Sequence, residues 1–230
     1  MEAISKKKAV AWTSATVFGS LGIIVFFSNA YVAYWYVRTA HQGPPPMQVV
    51  VKGTMAMTGP GLWLTVAIWW LIHRRKAPFA ELFATKTDSV LKDLLVGAAL
   101  GAVWVALYGA FNVVSFAEMF VLDRAKLISL PTSVSAGFCE EFLFRGFVFL
   151  VIARAGGSGK HRIVYSSLAF GLAHVFWGPR GMLWTVVLGF TLAAVRLWRG
   201  SVWPAVAAHM VLDLCIEPAL LDKAMSGGFG

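Results

Sequence analysis

Charge is scarce in this chain. Asp, Glu, Lys and Arg make up 13% of its 230 residues, about half of what a soluble domain carries. Acidic residues are scarcer still, 11 against 20 basic ones, which leaves a formal net charge of +9. Cysteine is nearly absent. Cys139 and Cys215 both sit inside apolar blocks, which excludes a disulfide framework and marks each as a small packing residue. No apolar–polar alternation occurs, so the strands of a membrane barrel are excluded. No internal repeat and no polar stretch of domain size are found.

What is present is hydrophobic sequence, 58% of the residues, gathered in long blocks. The expected fold class is therefore all-α, a polytopic membrane helix bundle of about seven transmembrane helices. The expected organisation is a single membrane domain over 1–230, with a catalytic core at 131–220 and accessory N-terminal spans at 1–130. The basic residues fall mainly in short loops, where they set orientation in a bilayer. This removes nucleic acid as a partner and makes the lipid bilayer one.

Lys6, Lys7 and Lys8 precede an uncharged run from Ala9 to Val37. It is too long for a signal peptide and reads as a retained first span. Gly43-Pro44-Pro45-Pro46 marks a turn, and a second span covers about 55–72. Pro78 to Thr85 places Phe79, Leu82 and Phe83 on one face, as a short helix on the membrane surface would; a connecting loop is the equal alternative. Thr87 or Asp88 is the expected cap of a third span over about 94–116, where Gly97 and Gly101 allow close packing. Residues 117–130 read as interfacial. Thr132 or Ser133 would cap a central helix ending near Arg154. A fifth span covers about 163–177, a turn Gly178-Pro179-Arg180-Gly181, a sixth span 182–198 and a seventh 202–220. The tail from Asp222 reads as disordered.

Seven spans would collect thirteen Lys and Arg residues on the side of the N-terminus and six on the other. The expected localisation is thus an integral membrane protein with its N-terminus in the cytoplasm and its C-terminus outside.

Three polar intrusions break the apolar blocks. The first is Cys139-Glu140-Glu141-Phe142-Leu143-Phe144-Arg145-Gly146, the second His174, the third His209 with Asp213. A charge at the bilayer centre costs roughly 2.5–3.5 kcal/mol, so such residues are paired and functional. At 1.5 Å per residue, Glu140 lies roughly 10 Å from the outer end of its span, and His174 about one turn from the end of its own. His209 and Asp213 fall at overlapping depth, so one shared site is expected.

Glu141 and Arg145, four apart, can pair on one helix face. Glu140 points about 100° away and is left for chemistry. Asp213, four after His209, can orient the imidazole. A carboxylate withdrawn from water is suited to general-base work near neutral pH, and two histidines beside it suit hydrolysis by a water. The set also resembles a two-His-one-carboxylate zinc site, but no His-Glu-x-x-His motif is present. No cofactor is favoured; the alternative is a divalent metal such as zinc on Glu140, His174 and His209. Cys139 as a thiol nucleophile with His174 is a minor option, and Phe170 reads as packing. His41, His73 and His161 read as solvated loop residues.

Glu-Glu-x-x-x-Arg (Glu140, Glu141, Arg145), then Phe-x-x-x-His (Phe170, His174), then His-x-x-x-Asp (His209, Asp213) on successive helices resembles the CAAX protease and bacteriocin-processing (CPBP) family. This is also called the Abi or type II CAAX prenyl endopeptidase family. The resemblance covers Pro131 to Leu220 and implies an intramembrane endopeptidase, often labelled a metalloprotease. It implies that Glu140 activates water with help from His174, that His209 and Asp213 stabilise the oxyanion, and that Glu141–Arg145 is a structural ion pair. The expected substrate is a membrane-anchored protein or peptide. Asp213 stands where the prenyl-protein branch usually has Asn, which favours a bacterial-type member of the inner (plasma) membrane. The other classes open to these residues are an ion- or proton-coupled transporter and a catalytically silent scaffold or immunity protein on the same fold.

Overall fold

The apolar blocks fold as helices, and the described residues contain no strand. A helix satisfies each backbone N–H and C=O within its own segment, which an apolar surrounding demands. The computed structural model describes residues 5–16, 18, 19, 22, 63, 66, 67, 70, 79–83, 89–111, 114–121, 124–175 and 178–225. Residues 6–16 are helical. The rest of the first expected span, most of the second, the Gly43–Pro46 turn, His41 and His73 lie outside the described residues.

The elements that follow are α1 (Phe79–Phe83), α2 (Val90–Ala110), α3 (Phe116–Phe120), α4 (Arg124–Glu141) and a π-helical segment (Phe142–Val148). After it come α5 (Phe149–Arg154), α6 (Gly159–Ala173), α7 (Gly178–Arg199) and α8 (Trp203–Met225). Two of these, α2 and α7, are long and apolar enough to cross a membrane, and α8 has a shorter apolar stretch, Trp203–Ile216. The expected count of seven spans thus reduces, among the described residues, to two helices that meet that requirement.

Several boundaries differ from expectation. The cap of α2 is Ser89, whose side chain accepts from the Lys92 N–H, while Thr87 and Asp88 lie outside the described residues. The third block does not run on to Phe116. It stops at Ala110, and Ser115 with Glu118 forms a capping box that starts α3. Thr132 and Ser133 do not start the central helix, because α4 begins at Arg124 and runs through Pro131; both lie inside the helix and are buried. The Gly178–Gly181 stretch is the first turn of α7 rather than a loop. Gly178 takes φ 73°, and Pro179 behind it suits a first helical turn, where its missing N–H leaves no bond unmade. The tail is helical as far as Met225. His161 belongs to the first turn of α6, where its Nδ1 closes a capping box with Ser158.

The short helix α1 is not a surface element. Leu82 and Phe83 are buried, and the Phe83 ring meets Phe138, Phe142 and Trp203 at 6.0, 5.8 and 5.2 Å. The Val202 N–H donates to the Phe83 carbonyl at 3.3 Å. Phe83 finds partners on α4, the π segment and α8, a larger apolar contact than a headgroup layer offers.

At the centre α8 packs on α2, α4 and α7. The α2–α8 contact is backbone to backbone. A Cβ on Gly101 would stand 2.7 Å from the Ala208 carbonyl oxygen, and one on Gly97 would collide with the Pro204 carbonyl oxygen. Gly137 does the same for α4, where a Cβ would meet Met210 at 2.5 Å. Asp93 of α2, buried, pairs with Arg199 of α7 at 2.8 Å. These contacts fix where α8 holds His209 and Asp213.

Candidate active site

Glu140 and Glu141 end α4, where the π segment begins. Widened turns of this kind concentrate at functional sites. Here a buried arginine accompanies one: Arg196 of α7 donates through Nε to the Arg145 carbonyl at 3.3 Å.

Arg145 is fully buried. Its Nη1 meets Glu141 Oε1 at 2.9 Å, its Nη2 donates to the Gly189 carbonyl at 3.2 Å, and its guanidinium lies 4.1 Å over the Phe170 ring. Gly189 admits this approach, since a Cβ there would come within 3.3 Å of Nη2 and 3.1 Å of the Ser167 backbone. A buried cation needs such a set of partners, because removing one leaves an uncompensated charge.

Glu141 does more than hold Arg145. The same Oε1 stands 2.9 Å from Nδ1 of His209 on α8. Nε2 of His209 faces Asp213 Oδ2 at 3.3 Å. The expected His209–Asp213 contact is present, and a shorter one to Glu141, which spacing along the chain does not show, lies on the other side of the ring.

Glu140 faces elsewhere. Its Oε2 is 3.5 Å from His174 Nε2, and the two side chains are 13% and 20% exposed. That separation is long for a direct hydrogen bond, and Oε2 makes none with a described residue. His174 caps the C-terminus of α6. Its Nδ1 meets the Phe170 carbonyl at 2.8 Å. A carbonyl only accepts, so Nδ1 carries the hydrogen and Nε2 of the neutral ring turns a lone pair toward Glu140.

The structure therefore brings Glu140 to His174, and Glu141 to Arg145, His209 and, through His209, Asp213. Phe170, read as packing, is the wall between the two groups. Its ring lies 4.7 Å from that of His174 and 5.6 Å, edge on, from that of His209. Cys139 is fully buried. The residue that sequence reasoning missed is Tyr108 of α2, buried between the rings of Trp104 and Trp184 and within the electrostatic reach of Asp213. No motif marks it in the sequence.

Among the described residues no group of three His, Cys, Asp or Glu side chains is arranged to hold a metal ion. Of the Glu140–His174–His209 set, Glu140 and His174 face each other, while both ring nitrogens of His209 face other carboxylates.

Comparison with known proteins gives one finding. Residues 124–215 match the family described as type II CAAX prenyl endopeptidase Rce1-like. Neither the curated proteins nor the solved structures yield a match. With two helices long and apolar enough to cross a bilayer, this marks the chain as a membrane protein. Residues 124–215, the stretch that carries Glu140, Glu141, Arg145, His174, His209 and Asp213, are thus related to the CAAX protease (CPBP) family.

Proposed function

We propose that the protein is an intramembrane endopeptidase that hydrolyses a peptide bond of a membrane-anchored protein or peptide, with a water activated by Glu140 as nucleophile. The observation that carries this is the Glu140–His174 pair: a carboxylate oxygen and an imidazole nitrogen 3.5 Å apart on side chains that keep some exposure, the oxygen itself buried and without a hydrogen-bond partner among the described residues. A water between them can give a proton to Glu140 while Nε2 of His174 accepts a hydrogen bond from it, and general-base help of this kind is worth about 10²–10⁴-fold. On the other side of Phe170, the His209–Asp213 pair is the candidate for meeting the charge that develops on the carbonyl oxygen. The reading routes no step through a metal, because the third candidate ligand, His209, has a carboxylate at each ring nitrogen. The setting is a bacterial inner membrane, N-terminus inside, with the site nearer the outer face, as the distribution of Lys and Arg favours.

The test is cleavage of a prenylated reporter peptide with a CAAX-type terminus, and of membrane-anchored reporters, by the protein in vesicles. Glu140→Gln should abolish cleavage while the melting temperature stays within a few degrees of wild type. Undiminished cleavage by a folded Glu140→Gln protein would sink the reading.

A further inference from the structure

The second carboxylate group poses a question of protons. Two carboxylate oxygens face the two ring nitrogens of His209, Glu141 Oε1 at 2.9 Å and Asp213 Oδ2 at 3.3 Å. Glu141 Oε1 also takes the Arg145 Nη1–H at 2.9 Å. An oxygen held by a buried guanidinium is an acceptor, so the hydrogen between it and His209 belongs to Nδ1. Nε2 of a neutral ring then presents a lone pair to another oxygen. At 3.3 Å from Asp213 Oδ2 that lone pair faces a second acceptor unless one of the two carries a hydrogen. A proton held by the His209–Asp213 pair, which a neutral imidazole and a free carboxylate would lack, makes this contact favourable. The His209 side chain is 5% exposed and that of Asp213 18%, so the shared proton reaches a substrate through Asp213.

We propose that Asp213 is the general acid of the reaction, passing the proton it shares with His209 to the leaving nitrogen, and that Glu141 is the positioning residue that sets the His209 tautomer. The proposal rests on the endopeptidase reading. In the first step Glu140 takes one proton from water as the C–O bond forms, giving a tetrahedral oxyanion. In the second, the leaving nitrogen takes the proton from Asp213, the C–N bond breaks, and its electron pair goes with the nitrogen. The proton on Glu140 then returns to the His209–Asp213 pair, so hydrolysis consumes one water and no net proton. The arrangement has the logic of a carboxylate-oriented histidine, in which one partner fixes the tautomer and the other nitrogen exchanges protons. It also gives residue 213 a task that an amide cannot perform: Asn donates a hydrogen bond but does not surrender the proton.

The test uses the full chain in nanodiscs and two versions of whichever membrane-anchored or prenylated reporter the wild type cleaves, one with the scissile amide and one with a thioester in its place. A thiol of pKa about 8.5 leaves as thiolate without a proton. Asp213→Asn should lose about 10²–10⁴-fold in kcat on the amide and less than about tenfold on the thioester, whose turnover also shows that the variant is folded. Equal losses on both, or wild-type turnover of the amide, would overturn the proposal alone. Glu140→Gln should be silent on both substrates; if it cleaves both, the endopeptidase reading falls and the proposal with it. A substrate-free measurement is the ¹⁵N spectrum of histidine-labelled protein. Nδ1 of His209 should be protonated in the wild type and should lose that preference in Glu141→Gln, and a bare Nδ1 in the wild type would end the argument.

Discussion

Glu140 and Glu141 are neighbours in sequence and opposites in setting. Glu141 is fully buried and gives one oxygen to both a guanidinium and an imidazole. Glu140 is partly exposed and has a single imidazole at 3.5 Å. Consecutive helical residues point about 100° apart, and that rotation alone sends one carboxylate into the ion-pair network and the other toward His174. Identical chemistry is thus divided into a fixed half and an available half. The difference lies in partners, which a helix end packed among three other elements can supply on one face only.

The comparison makes a large prediction about folding. Arg145→Ala leaves Glu141 buried beside one imidazole, and Glu141→Ala leaves the Arg145 guanidinium against a carbonyl and a ring. Breaking a buried pair by removing one partner costs about 3–5 kcal/mol, so either variant should unfold well before wild type in a thermal or denaturant melt. Glu140→Gln should shift the same melt by less than about 1 kcal/mol, within the range of ordinary substitutions away from tight networks. Equal destabilisation by Arg145→Ala and Glu140→Gln would erase the division between the two carboxylates.

The polar half of this picture is legible in the sequence, because ionisable residues inside apolar blocks are costly and stand out. Four-residue spacing also exposes the Glu141–Arg145 and His209–Asp213 contacts. The Glu141–His209 contact is not legible, since it joins residues 68 apart and depends on how α8 lies against α4. The helix ends fared worse. A helix expected to start at Thr132 or Ser133 instead begins at Arg124 and runs through Pro131, where tertiary packing overrides local preference, and the expected turn around Pro179 opens α7. The π segment left no mark in composition, and the burial of α1 followed from aromatic partners on three distant elements.

A medium effect should come from α2, which has no charged site residue and acts through placement. Gly101→Val puts a branched side chain where a Cβ already meets the Ala208 carbonyl oxygen and Val211 at 2.7 and 2.8 Å. Forcing volume into such a contact costs about 1–3 kcal/mol. It should also push α8 away from α2, carrying His209 and Asp213 off their positions, while Glu140 and His174 on α4 and α6 stay together. Cleavage should fall more than stability explains, by about tenfold or more at a temperature where the variant is folded, since a displacement of about 1 Å can cost 10²-fold. A variant that loses stability alone would show that the position of α8 is not what the available half depends on.

The smallest effect belongs to Tyr108. Its ring is packed against Trp104 and Trp184 at 6.3 and 5.5 Å, contacts that Tyr108→Phe preserves, so the melt should move by no more than the roughly 0.5–1.5 kcal/mol of one hydrogen-bonding group. The hydroxyl is another matter. Glu140, Glu141 and Asp213 crowd acceptors into the site, and Arg145 spends its Nη1 and Nη2 on Glu141 and Gly189. A neutral donor within the electrostatic reach of Asp213 can steady that carboxyl group. Tyr108→Phe should therefore lower kcat about three- to tenfold with KM nearly unchanged, the pattern of an interaction made in the transition state only. A rise in KM with kcat intact would instead make Tyr108 a wall of the substrate groove, and α2 would then shape binding rather than chemistry.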